Sequence, residues 1–353
     1  MSMPSNIEKL LSQIPEEKIN HKDIYKKYPW ILKENLDCII SPDSDGFLCG
    51  LLMNNLLNWK IKGFYDGKVL LKEKNCNIKD CVFLDIEIFS KEIKSIGNHC
   101  VIPHMKIYEE LGNDSLKNCI SPGLMRGFDG SKFFRLKYPL GTIHLLLSIL
   151  FPKIKINLPD KSISSLLFPD GLFNVLFSYP ENVLTWFDYL DFENLEHPMN
   201  KFIYPSNLTN NNFSLAEIMK VMRDYFIKRD EFGEGIIGRG DHLKLTDKFG
   251  KLLEHISFEN RYYNIRDDVK DKIEGFIKMN ATNCNFKYNA EDWSWKNFEC
   301  TFFEKKIIGG EGNKYNQSLI REVFLKNLIS GAQTAGNRFE CSVSKDQDIF
   351  SSI

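Results

Sequence analysis

The 353-residue chain has no CxxC pair, no internal repeat, no Gly/Ser- or Pro-rich tract and no excess of charge of either sign. Each absence removes a class of protein. Nine cysteines, odd in number and scattered from Cys38 to Cys341, exclude a zinc ribbon or a disulfide framework and fit reduced thiols buried as small hydrophobes. No run approaches the roughly 18 apolar residues of a membrane span. The first residues, MSMPSNIEKLLSQIPEEK, are acidic and lack the apolar centre of a signal peptide, so the chain is expected to be cytoplasmic, with no membrane partner. A formal charge of −1 supplies no overall field toward nucleic acid or an anionic surface, so any polyanion site has to be local. What remains is 43% hydrophobic and 26% charged, the make-up of a folded protein, and roughly 150 residues per domain suggests two domains.

The hydrophobic pattern predicts an α/β protein. Short helical segments around Ile7–Ile14 and Ile24–Leu36 precede a strand at Leu36–Ser41, a helix at Phe47–Trp59, and strands at Ile61–Tyr65, Lys68–Lys72, Cys81–Ile86 and Lys94–Val101. Runs such as Val82-Phe83-Leu84 predict a parallel sheet covered on both faces. An apolar helix is expected at Gly141–Phe151, a further strand at Ser164–Phe168 and a helix at Val183–Leu190. The asparagine cluster at Asn207–Asn212 is the best candidate boundary. The division expected is a helical extension over 1–35, a mostly parallel, helix-flanked domain over 36–205 and a smaller α+β domain over 206–353. The last contains helices at Leu215–Arg229, Leu243–Ile256 and Val269–Met279 and strands at Phe298–Ile308 and Arg338–Val343.

Carboxylates recur where these strands end. Asp43 and Asp45 follow the first strand in "PDSDG", Asp85 ends "CVFLD", Asn98 and His99 end "KSIGNHC", and Asp170 ends "SSLLFPD". Open α/β sheets bind ligands beyond the carboxyl ends of their strands. Like charges crowded there repel one another and resist desolvation, and a divalent cation relieves both. An aspartate-rich set with one imidazole suits Mn²⁺ or Mg²⁺. Taken singly, each residue has a plainer reading: D-x-D as an Asx turn, Asp85 as a helix cap, Asp170-Gly171 as a turn pair, His99 as a core histidine.

In their order, "PDSDG", "FLDIE", "IGNHCV" and "LLFPDG", with the helix "GTIHLLLSIL" before the last, resemble the motifs of the DHH phosphoesterase superfamily over residues 36 to 190. That resemblance implies two metal ions held by Asp43, Asp45, Asp85, His99 and Asp170, with Asp85 bridging, and hydrolysis of phosphodiester bonds in nucleic-acid ends, oligonucleotides or nucleotides. The partner would be a nucleotide or single-stranded nucleic acid, with a homo-oligomer or protein partner left open. The triplet departs from the family pattern, reading Asn98-His99-Cys100. The histidine that would face the scissile phosphate is a cysteine, and a thiol is a poorer donor to a developing phosphorane. Either His104 or another group compensates, or the reaction is slow or absent and the chain is a catalytically impaired binding or scaffolding subunit.

Candidate substrate contacts are Asn98, Arg126 and the segment "ISGAQTAGNRFECSV", where Gln333, Gly336 and Arg338 would form an anion-binding loop like that of the family's C-terminal domain. The glycine-rich stretches Glu231–His242 and Ile307–Gln317 match no nucleotide fingerprint. Trp293 and Trp295 read as core or edge packing ahead of a stacking platform, and His144 and His197 as structural.

Overall fold

The computed structural model describes residues 6–112, 114–204, 214–233, 241–310, 317–325 and 328–344. Its larger sheet has nine strands: β1 (Asp37–Ile40), β2 (Lys60–Tyr65), β3 (Val69–Glu73), β4 (Val82–Leu84), β5 (Lys94–Ile96), β6 (Cys119–Ile120), β7 (Ile256–Glu259), β8 (Tyr262–Ile265) and β9 (Phe298–Phe302), in the order β6-β5-β4-β1-β2-β3-β9-β8-β7. The half from β6 to β2 is parallel throughout. At Asp66-Gly67 the chain turns back on itself. Gly67 takes φ +82°, and the Asp66 carboxylate accepts from the Lys68 and Val69 amides at 2.9 and 2.8 Å. The resulting β2–β3 hairpin is antiparallel, and so is the rest of the sheet. The sheet is therefore parallel over the strands whose apolar runs predict it and antiparallel beyond β2.

Strand alternation sorts the side chains onto two faces. Cys38 and Ile40 of β1, Val69 and Leu71 of β3, and Val82 and Leu84 of β4 join the main core, which runs from Ile19 to Phe298 and takes in the helices Ser44–Leu57 and Thr142–Leu150. Ile39, Leu70 and Phe83 point the other way, into a separate cluster with Ile78, Ile88, Phe303 and Ile329. Both faces are buried, as Val82-Phe83-Leu84 predicts. The second is covered by the 74–93 segment and by a smaller sheet, and among the described residues no helix contributes to the cluster. That sheet consists of β10 (Glu304–Gly309), β11 (Leu328–Ala335) and β12 (Arg338–Val343), antiparallel in the order β10-β12-β11. Phe339, Cys341 and Val343 pack it against the helix Gln317–Leu325, through Ile320 and Phe324, and against Phe89 and Ile102.

Two expected elements differ. Ser164–Phe168 lies in a helix, Ser162–Leu167, and not in a strand. The stretch Ser162–Phe168 carries only Ile163, Leu166, Leu167 and Phe168 as apolar residues, a spacing of 3 and 4 from Ile163 that suits a helix, and every residue of that helix is buried. Leu243–Ile256 is irregular, because the Asp247 carboxylate accepts from the Phe249 and Lys251 amides at 2.8 and 3.0 Å and Gly250 sits at φ +84°, a turn no helix tolerates. The expected boundary at 205/206 falls outside the described residues. Beyond it, β7, β8 and β9 continue the large sheet, and only the segment from Glu304 onward builds the smaller one.

The helix Ser44–Leu57 sets the geometry of the sheet's carboxyl edge. Asp43 caps it, accepting from the Gly46 amide at 3.2 Å, and Asn58 closes it at φ 55°. Gly46 admits no side chain, since a Cβ there would lie 2.2 Å from the Ser41 carbonyl oxygen. The helix leads to β2 on one side of β1, while β4 pairs on the other, so the chain direction switches between β1 and β4. A crevice forms at such a point.

Because β9 belongs to the main core, Phe298, fully buried with its ring 6.1 Å from that of Phe64, tests the unity of that core. Phe298→Ala is expected to cost about 3–5 kcal/mol and to lower one calorimetric transition as a whole. An unperturbed transition beside a shifted one would place β9 in a separate folding unit.

Candidate functional site

The crevice holds a carboxylate cluster. Asp43, Asp85, Glu87, His99 and Asp170 line one cleft of about 300 Å³ between the carboxyl edge of the large sheet and the face of the small one. Asp45 lies beneath, 1% exposed, accepting from the amides of Thr142 and Ile143 at 2.5 and 3.1 Å. It thus rests on the N-terminus of the helix Thr142–Leu150, where unpaired N–H groups favour an anion. Asp85, also buried, follows β4 at φ 63°, a left-handed conformation that aspartate tolerates better than most residues. Its two oxygens accept from the Ser41 hydroxyl and, at 2.7 Å, from the Thr142 hydroxyl. Ser41 also stands 2.9 Å from Asp43. Asp170 arrives from the end of a helix at φ 52° and accepts from the Asn98 amide, which also bonds the Leu140 carbonyl at 3.1 Å. Asn98 is therefore a positioning residue for Asp170.

Glu87 is a member that the strand-end reading missed. It is 3% exposed, accepting from the His99 amide at 2.6 Å and lying 3.0 Å from His99 Nδ1. Gly97 makes the room: a Cβ there would sit 2.4 Å from the Glu87 carboxyl carbon. A carboxylate on Nδ1 fixes the tautomer and leaves Nε2 as the nitrogen for a ligand, the arrangement that metal-bound histidines usually show. The signal lay in the quoted motif itself, since "FLDIE" sets Glu87 two residues beyond Asp85. His242, which also lines the cleft, had no comparable local signal.

Other expected contacts fall elsewhere. Cys100 bonds weakly to the Ile102 carbonyl at 3.9 Å, and burial pushes its thiol up to about 12. Neither it nor His104, which precedes the helix Met105–Glu110, is among the described residues lining the cleft. Arg126 is enclosed by Phe128, Trp186 and Tyr189, with its guanidinium 4.7–4.8 Å from each ring centroid and Glu17 at 3.9 Å. It is a core cation. Gln333, Gly336 and Arg338 lie in the β11–β12 hairpin, where an anion-binding loop was expected: the Gln333 amide N–H donates to the Cys100 carbonyl at 2.8 Å, its side chain reaches the Gly336 carbonyl at 3.2 Å, and Arg338 pairs with Glu340 at 3.0 Å. The first of these contacts docks the small sheet, and the other two lie within its hairpin. From that sheet Ser330, Thr334, Lys305 and Glu340 face the cleft. Trp293 and Trp295 are buried in the main core, as are His144 and His197 in their own helical surroundings. Residues 234–240 and 311–316 of the glycine-rich stretches lie outside the described residues.

Comparison with family models, curated proteins and solved structures gives no match. The site is read from its own chemistry.

Burial raises Asp85 well above the ordinary carboxylate range, helped by the charges of Asp45, Asp43 and Asp170 and opposed by the Ser41 hydrogen bond. Asp45 is raised likewise by burial and by Asp170 and Asp43, against its two backbone donors. Asp170 rises through burial and Asp43, with His99, Asn98 and Asp45 opposing. Burial pulls His99 down, yet Glu87, Asp170 and Asp43 hold it up at about 9. Burial and mutual repulsion thus favour the uncharged form of these carboxylates, and a hard divalent cation would relieve both. Four carboxylates and one imidazole fit Mn²⁺ or Mg²⁺ chemically. Among the described residues, no group of three or more such side chains is already arranged around a common point; the Ser41 hydroxyl bridges Asp43 and Asp85, and the Thr142 hydroxyl donates to Asp85.

Two outcomes are expected. Folded-state pKa values above the unfolded ones mean that the folded protein binds more protons, so its metal-free stability falls as pH rises from about 4 toward 9. Mn²⁺ should then raise Tm more at pH 8 than at pH 6 and release protons on binding, a quantity read by calorimetry in buffers of different ionisation enthalpy. Arg126→Met, which keeps packing volume, should change stability by less than about 1.5 kcal/mol, whereas Arg126→Ala should cost about 2–4 kcal/mol. Neither should alter Mn²⁺ affinity, which equilibrium dialysis would measure.

Proposed function

We propose that the protein is a divalent-metal-dependent phosphoesterase of DHH type, acting in the cytoplasm on phosphodiester bonds of nucleic-acid ends, oligonucleotides or nucleotides. The observation that carries this reading is the meeting of Asp43, Asp85, His99 and Asp170, from four separate stretches of chain, in one cleft at the switch point of the sheet. Mn²⁺ or Mg²⁺, two ions by the DHH resemblance, would be held by Asp43, Asp45, Asp85, Asp170 and Nε2 of His99. When bound, such ions supply a water of lowered pKa and positive charge at a phosphoryl oxygen.

The remaining work falls to the chain's own groups. Glu87 orients His99, Asn98 orients Asp170, and the Ser41 and Thr142 hydroxyls hold Asp85. Across the cleft, Lys305 and the hydroxyls of Ser330 and Thr334 offer cationic and hydrogen-bonding partners to a phosphate and sugar. His242 faces the same space as Asp43 and Asp170, and it takes the phosphate-facing place that Cys100 cannot fill. The second reading, a binding or scaffolding subunit, is favoured by the protonated thiol of Cys100 and its position away from the cleft.

Turnover of a short single-stranded oligonucleotide and of a dinucleotide, followed with Mn²⁺ present, separates the two. Asp85→Asn is expected to lower kcat/KM at least about 10²-fold, and His242→Asn to lower kcat about 10²-fold. Mn²⁺ binding by the wild type without turnover of either substrate would leave the binding-subunit reading in its place.

A further inference from the structure

Asp43, Asp170 and His242 line a second cleft as well, of about 550 Å³, whose other walls come from helices and not from the small sheet. Phe226 and Arg229 sit three residues apart on one face of the helix Leu215–Gly233, and Phe168 and Phe173 flank Asp170 in sequence. The Arg229 guanidinium lies 5.5 Å from the Phe168 ring centroid and 5.2 Å from that of Phe226, and the Phe173 and Phe226 rings are 5.2 Å apart. Arg229 Nε donates to Asp230 at 2.9 Å, and its side chain is only 11% exposed. The guanidinium is thereby fixed as a flat cation backed by aromatic rings.

Such a wall suits one kind of occupant. A hydrated polyanion would gain little from three phenylalanines and would meet the carboxylates at the cleft's border. A planar, largely uncharged ring gains from stacking on rings and on guanidinium alike. The shared border places that ring one linkage from whatever phosphoryl group sits among Asp43, Asp85 and Asp170. We infer that this second cleft is a binding site for a heteroaromatic base attached, through its sugar, to the phosphoryl group of the substrate, with Phe226 and Arg229 as the stacking surface. The inference rests on the phosphoesterase reading for the position of the phosphate. Its consequence is that base-bearing phosphates are preferred over bare sugar phosphates.

Competition binding with adenosine 5′-monophosphate and ribose 5-phosphate in the presence of Mn²⁺ tests this directly. The base-bearing ligand should bind at least about 5-fold more tightly. Phe226→Ala should bring the ratio close to one, and Arg229→Lys, which keeps the charge but not the plane, should lower it; thermal melts report whether each variant is folded. Irradiation with 8-azidoadenosine 5′-monophosphate should label peptides within residues 162–173 or 215–233. Equal affinities, no measurable binding of either ligand at millimolar concentration, a ratio untouched in both folded variants, or label confined to residues 328–344 would each overturn the site. Base preference and correct labelling without metal-dependent hydrolysis would instead leave the site standing and remove the phosphoesterase reading.

Discussion

Burying like charges together is the constraint around which this molecule is arranged. Asp45 and Asp85 are nearly inaccessible, with Asp43 and Asp170 close enough for each charge to disfavour the next. Uncompensated carboxylates would be expelled toward water or would neutralise by taking up protons. The fold supplies donors from three directions: the N-terminus of the helix Thr142–Leu150 to Asp45, the Ser41 and Thr142 hydroxyls to Asp85, and the Asn98 amide to Asp170. These contacts lower the cost of the cluster without cancelling it, since burial and mutual repulsion still hold Asp45, Asp85 and Asp170 above the ordinary carboxylate range. Asp85 and Asp170 add backbone strain at positive φ, a cost of about 1–3 kcal/mol each for such conformations, less for aspartate than for β-branched residues.

That cost is carried by the core beneath. The strands β1, β3 and β4 bury side chains on both faces, so β1 and β4 cannot slip in register without driving Ile39 or Phe83 into the wrong layer. A fixed register holds Asp43 and Asp85 beside each other at the strand ends. The small sheet serves the same end from the opposite face. Ile329 and Phe303 complete the second apolar layer, and the Phe89 amide donates to the Ile329 carbonyl at 2.8 Å. Docking by these groups is what turns an open sheet edge into a walled cleft.

How much of this was legible in the chain follows from what each signal depends on. Asp43, Asp85 and His99 follow strands or strand-like runs whose periodicity is local, and all three line the cleft at the strand ends, with Asp45 beneath. Asp170 reaches the same place from a helix, since its position depends on the Pro159–Pro169 segment as a whole and not on its period. Arg126 was misplaced because an aromatic enclosure made by Phe128, Trp186 and Tyr189 is a tertiary fact: a loop arginine reads the same in the sequence whether it faces solvent or three rings. The antiparallel half of the sheet escaped for a related reason. The Asp66-Gly67 turn was visible, but the pairing of β3 with β9 joins residues more than 200 apart, and no local pattern records it.

The altered triplet shows the same distinction between place in sequence and place in space. Read along the chain, Cys100 stands where the resemblance to the DHH motifs would put an imidazole, and on that resemblance alone the thiol argues against catalysis. In the folded molecule its backbone carbonyl accepts the Gln333 amide N–H, so that this stretch helps to dock the small sheet, while His242 lines the cleft beside Asp43 and Asp170. What a developing charge requires is a donor at the right point, whichever residue number supplies it. His242 also borders the aromatic cleft, so in the proposed reading one imidazole would sense both the phosphoryl group and the ring attached to it. On that reading a cysteine at position 100 would be compatible with chemistry at the cleft, because the donor would be positioned by the tertiary fold and not by the motif.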